Sequence, residues 1–178
     1  KGVRVEVFSN TDLSGSPVET YVAEKVFLNQ AAAQAHEDVV LENVSSRHTF
    51  YYTPARNESL KVYASGNDGI RLYLNGKLMV DRWNGFSWNK ENFLYDFEAG
   101  KVYEFVVEHF NRSGSIGLEL QFENMQLTNP EAIKAADCVV VCLGHDSQTE
   151  KENFDRTFSL PQGQEDYLRK VLALNENV

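Results

Sequence analysis

The sequence predicts a mainly β protein: a β-sandwich or barrel over residues 1–123, followed by an incomplete α/β segment of helix, strand and helix over residues 124–178. Three observations carry this reading. Of 21 aromatic residues, 18 precede residue 124, in a stretch punctuated by Asn, Gly and Ser. Short segments there alternate apolar and polar residues, as half-buried strands do. Beyond residue 124 the alternation gives way to helical spacing around one wholly apolar run.

In chain order, Val3, Val5 and Val7 alternate with Arg4 and Glu6, so one face of a first strand is buried. Strands are expected near Thr49–Thr53 and Leu60–Ala64. Next come Ile70-Arg71-Leu72-Tyr73-Leu74, Asn75-Gly76 and Lys77-Leu78-Met79-Val80. Asn-Gly supplies the two positive-φ positions of a type I′ turn, so these segments form a hairpin. Further strands are expected near Phe93–Phe97, Val102–Glu108 and Leu118–Phe122. Several short strands with Gly and Asn turns favour a sandwich or barrel. Asn129 can then cap a helix with Pro130 and Glu131 in its first turn, running through Ile133 and Ala136. The run Cys138 to Leu143 is expected to be a parallel strand covered on both faces, and Pro161 to open a helix burying Tyr167, Leu168, Val171 and Leu172. One such strand cannot close a core, so residues 124–178 are expected to be a piece of a larger α/β domain.

Composition excludes several functions. With 42% hydrophobic and 24% charged residues in a chain of 178, disorder and low-complexity repeats are disfavoured. The net charge is -9, shared as -5 (12 basic, 17 acidic) before residue 124 and -4 (5 basic, 9 acidic) after it. That sign opposes binding to phosphate backbones or anionic lipid, so neither nucleic acid nor membrane is an expected partner. No apolar run approaches the roughly 18 residues of a membrane span, and a soluble protein is expected. The chain opens at Lys1 without a leader, as a mature protein or a cut piece would. Cys138 and Cys142, about 13 Å apart on a strand, are read as buried free thiols. No Cys/His cluster has zinc-ligand spacing, the four histidines form no spaced pair, and three Asn-X-Ser sequons do not decide a secretory host.

The loop Gly144 to Arg156 leaves the carboxyl end of the apolar run, where open α/β sheets place their ligands. Glu150 and Glu152 are its candidates for proton transfer, although an acidic loop is more often a solvated face. The run Val139 to Gly144, then Glu150-Lys151-Glu152-Asn153-Phe154-Asp155-Arg156-Thr157, Leu160-Pro161 and the helix from Gln164, resembles glycoside hydrolase family 3. It looks like the β-glucosidase branch that carries an inserted domain. The resemblance implies that Glu152 is the general acid/base, with Glu150 as second candidate and Asp155 and Arg156 fixing the loop. Asn153 stands where the family motif has glycine.

Residues 1–123 resemble the protective-antigen-type (PA14) domain inserted in that branch. The stretches carrying this are Val40 to Pro54, Ser65 to Trp83, Ala99 to Phe110 and Leu118 to Phe122. Some adhesins of that family hold calcium with two consecutive aspartates before the Gly-Ile-Arg-Leu-Tyr strand. Here the pair is Asn67-Asp68, one anionic ligand short, so no tight calcium site is expected. Asp68 is either a weak sugar-contact candidate or the anchor of the turn before Gly69. In Arg82 to Lys90, Phe86 and Trp88 are candidate sugar-stacking residues, and Trp83 is expected in the core.

The resemblances imply part of an exported, periplasmic or secreted, retaining β-glucosidase-like enzyme acting on an oligosaccharide or β-glucoside. They imply no metal and no organic cofactor. The aspartate nucleophile would come from a barrel domain of the parent enzyme, so this chain alone is expected to be inactive. A carbohydrate-binding module without catalysis and a structural spacer are the alternatives.

Overall fold

A computed structural model describes residues 2–29, 42–85, 87–145, 158–161 and 163–178. Among them, ten strands form two antiparallel sheets. The strands are β1 (Val3–Phe8), β2 (Glu19–Ala23), β3 (Phe27–Leu28), β4 (Val44–Tyr52), β5 (Glu58–Gly66), β6 (Gly69–Leu74), β7 (Lys77–Arg82), β8 (Asn89–Phe97), β9 (Tyr103–Asn111) and β10 (Leu118–Asn124). The larger sheet has the order β2-β1-β4-β9-β6-β7, and the smaller β3-β10-β5-β8. Two helices follow, α1 (Pro130–Ala135) and α2 (Gln164–Leu172). The fold is therefore mainly β. None of the described helices is long and apolar enough to cross a membrane.

Local chemistry explains the boundaries. Asn75 and Gly76 turn the β6–β7 hairpin at φ of 49° and 76°, the mirror-image turn that matches strand twist. Asn129 accepts a hydrogen bond from the Ala132 amide at 3.0 Å, and Pro130 starts α1 where no N–H is needed. β2 and β3 lie at sheet edges, β2 with Val22 fully on the solvent side, so they carry little of the alternating signal.

The interior changes character along β4 and β9, which pair from Val44↔Asn111 to Tyr52↔Tyr103. At one end Phe50 stacks on Phe105 at 4.8 Å, and Phe97 meets Tyr103 edge-on at 4.9 Å. Burial of such rings contributes about 1.5–3 kcal/mol each. At the other end the inward residues are Ser46, His48, His109 and Asn111, none more than 2% exposed. Ser46 Oγ lies 3.0 Å from His48 Nε2, and His109 Nε2 lies 3.0 Å from the Asn67 carbonyl.

On the outer face of the larger sheet, five adjacent strands carry Glu6, Arg47, Glu108, Arg71 and Asp81 in register. Signs alternate across the row. Arg47 donates to one Glu108 oxygen at 2.9 and 3.0 Å, and Arg71 Nε donates to Asp81 at 3.1 Å. Opposite charges directly across strands favour this register, and a one-residue slip would turn the whole row into the core.

The apolar run corrects the sequence reading. Cys138 to Leu143 enters no sheet among the described residues, and both cysteines are exposed rather than buried. A parallel strand is covered only when neighbours flank it, and no described strand lies beside this one. What holds it is the C-terminal asparagine pair. The Val139 amide donates to the Asn177 carbonyl at 2.9 Å, and Asn177 Nδ2 donates to the Asp137 carbonyl at 2.5 Å. Asn175 Nδ2 bridges the Ile133 and Ala136 carbonyls at 2.9 and 2.7 Å, closing the end of α1. In α2 Val171 is buried and Leu172 exposed, with Tyr167 and Leu168 half-buried, so the expected apolar face is only partly covered.

Candidate functional site

The loop that carries Glu150, Glu152, Asp155 and Arg156 lies outside the described residues, as does Phe86. Its base is described. The side-chain amide of Gln164 donates to the Gly144 carbonyl at 2.8 Å, and its oxygen accepts the Gly144 amide at 2.9 Å. The Gln164 amide in turn donates to the Pro161 carbonyl at 3.1 Å. Residues 144 and 164 are thus joined by a two-bond ring. Gly163, at φ 91°, starts α2, and a Cβ there would come within 2.9 Å of Met125 Cε. Nothing in the local sequence singled out Gln164, because one glutamine in a helix's first turn has no pattern of its own.

A cavity of about 510 Å³ opens between this helix and the smaller sheet, lined by Leu94, Tyr95, Met125, Gly163 and Arg169 among others. Met125 ties the two parts together, its amide donating to the Ser59 carbonyl at 2.9 Å. Lys170 reaches the Met125 carbonyl at 3.5 Å. Ser59 and Asp96 pair at this end of β5 and β8, whereas Gly66 and Asn89 pair at the other.

That other end holds the remaining candidates. Asp68, at φ 57°, is 7% exposed. Its carboxylate accepts the Arg112 amide at 2.7 Å, and its carbonyl accepts Asn89 Nδ2 at 2.8 Å. Asn67 donates its side-chain amide to the Ser115 carbonyl. Both side chains are therefore engaged in joining the β5–β6 turn to neighbouring loops. Trp88 is 49% exposed, and its six-membered ring lies over Gly117, where a Cβ would come within 2.5 Å of Cζ3. Trp83 is half-buried rather than in the core, edge-on to Phe110 at 4.8 Å. His48 and His109 are neutral core residues. Burial pushes His48 down to about 3, helped by the neighbouring His109, and burial brings His109 to about 4 against the opposing pull of the Asn67 carbonyl and the Asp68 charge. Among the described residues no group of three His, Cys, Asp or Glu side chains is placed to hold a metal ion.

Comparison with known proteins gives these residues a context. The family model described as the glycosyl hydrolase family 3 C-terminal domain matches residues 17–178. A curated relative, the anti-sigma-I factor RsgI3 of Acetivibrio thermocellus, is 23% identical over 123 residues, covering 69% of this chain and 19% of the relative. The crystal structure of a β-glucosidase from Kluyveromyces marxianus in complex with glucose superposes with a TM-score of 0.57 at 20% identity, covering 99% of this chain and 23% of that one. A PA14 sugar-binding domain from an RTX adhesin superposes with a TM-score of 0.55 at 10% identity, covering 70% of this chain and 90% of that one. At such identities the structural likenesses establish the fold, a PA14-type pair of sheets. The chain spans less than a quarter of the length of the curated relative and of the β-glucosidase.

Proposed function

Because this chain belongs to the glycosyl hydrolase family 3 C-terminal domain family, we propose that it is a part of a retaining, β-glucosidase-like glycoside hydrolase that acts on an oligosaccharide or β-glucoside outside the cytoplasm. The family match across residues 17–178 carries this reading, since it takes in nine of the ten strands and the segment after them. Residues 1–123 act as a PA14 domain that shapes the mouth of the active site or contacts sugar, and residues 124–178 contribute the loop with the acid/base.

In the proposed mechanism a barrel domain of the parent enzyme supplies an aspartate, which attacks the anomeric carbon. Glu152 protonates the departing glycosidic oxygen, and the C–O bond breaks as the glycosyl–aspartate ester forms. Glu152, now a carboxylate, then takes a proton from water as that water displaces the aspartate, restoring both groups. Retention requires the two carboxyl groups to lie about 5–5.5 Å apart. Asp155 and Arg156 hold the loop, and the Gly144–Gln164 ring supports this role by fixing where the loop leaves and returns.

The test is the intact protein on an aryl β-glucoside, with the first-formed sugar anomer followed by NMR. Hydrolysis releasing the β anomer first is the expected result. Absence of hydrolysis, or the α anomer first, contradicts the proposal, as does turnover by the 178-residue chain alone.

A second reading, a carbohydrate-binding module, is favoured by the exposed indole of Trp88 and the likeness to a sugar-binding PA14 domain. Under it, sugar binds the chain and the intact protein hydrolyses none.

A further inference from the structure

The alternating row of charges on the larger sheet ends in a pocket. A cavity of about 350 Å³ is lined by Arg71, Asp81, Trp83 and Asn84. This lies within the usual range for ligand sites, about 300–1,000 Å³, and has room for a pyranose ring. Two side chains hold Arg71, across the sheet from Glu108 on β9. Its Nε donates to Asp81 at 3.1 Å, and its guanidinium lies 4.7 Å from the centre of the Trp83 ring. Trp83 is fixed in turn against Phe110, which sits over Gly69 where a Cβ would come within 1.9 Å of the ring. Arg71 and Trp83 are therefore preorganised, which lowers the entropy lost on binding.

Among the described residues, the terminal Arg71 nitrogens, the second Asp81 oxygen and the Asn84 amide have no protein partner. Donors and acceptors thus converge on one space beside an aromatic wall. The charges there cancel: Asp81 disfavours an anion and Arg71 a cation. A neutral ligand rich in adjacent hydroxyls matches this set, because each hydroxyl both donates and accepts.

We propose that Arg71, Asp81, Trp83 and Asn84 form a binding pocket for a neutral saccharide. Only the choice of a β-glucoside as probe rests on the glycoside hydrolase reading.

The chain has two tryptophans, so its indole N–H region holds two resonances, from Trp83 and Trp88. Titrating the 15N-labelled chain with cellobiose should move the Trp83 resonance saturably in the millimolar range. Asp81→Ala should weaken binding about tenfold or more by removing a charged acceptor, and Asn84→Ala by a smaller factor. Glucuronate, of the same ring size but anionic, should bind more weakly than methyl β-glucoside. A shift of Trp88 alone, no shift at any millimolar concentration, unchanged affinity in Asp81→Ala, or a preference for glucuronate would each overturn the assignment. Binding by this chain and hydrolysis by the intact protein are read separately, so the failure of one is told from the failure of the other.

Discussion

Gln164 and Gly144 are joined by a ring of two hydrogen bonds, 2.8 and 2.9 Å, across the base of the loop that carries Glu152. Each bond contributes about 1 kcal/mol to holding the loop ends together. Under the proposed function, Gln164→Ala in the intact protein should lower kcat/KM on an aryl β-glucoside about tenfold, through misplacement of the loop. The thermal midpoint should fall by only a few degrees, because the two exposed bonds contribute about 1 kcal/mol each. Steady-state kinetics beside a melting curve checks both.

Gly69 leaves no room for a side chain beneath Phe110, which is 1% exposed. Gly69→Ala should destabilise the chain by about 1–3 kcal/mol by overpacking, and by more if Phe110 cannot turn against Trp83. Urea denaturation of the two proteins measures the difference.

The buried histidines make stability depend on pH. Both are neutral in the folded chain, at about 3 for His48 and about 4 for His109, against 6.5 when unfolded. Between pH 6.5 and 4 the unfolded chain binds more protons, so stability is full above 6.5 and falls as pH falls. The slope is roughly 1.4 kcal/mol per pH unit for each histidine once well below 6.5. Denaturation curves at pH 7 and pH 5 should show the loss, and His48→Gln should remove about half of it.

Asp68 joins two loops through its bond to the Arg112 amide. Asp68→Ala should cost about 1.5–3 kcal/mol, the range for a hydrogen bond to a charged group. Asp68→Asn should cost less, since asparagine tolerates the positive φ. With Asn67 in place of a second aspartate, millimolar calcium should leave the thermal midpoint unchanged.

What the sequence disclosed depended on how local each feature's cause is. The Asn75-Gly76 hairpin and the Asn129 cap are decided within a few residues and could be read directly. Edge strands β2 and β3 have no clear pattern in the sequence, because in β2 polar Glu19 shares the inward face with Tyr21 while apolar Val22 points outward, and β3 has only two residues. The apolar run from Cys138 announced burial, yet burial needs flanking strands. His48 and His109 meet only through the pairing of β4 with β9, and Arg71 meets Asp81 and Trp83 only after the hairpin folds. The family motif singled out Glu152, while Gln164, which closes its loop, had no signature.

The proposed acid/base role of Glu152 is most directly tested by Glu152→Gln in the intact protein, on aryl β-glucosides with good and poor leaving groups. General acid–base catalysis supplies about 10²–10⁴ in rate. Glycosylation by the poor leaving group should fall by about that factor, while glycosylation by the good one, which needs little protonation, should change far less. Equal rates for wild type and variant on both substrates would contradict it.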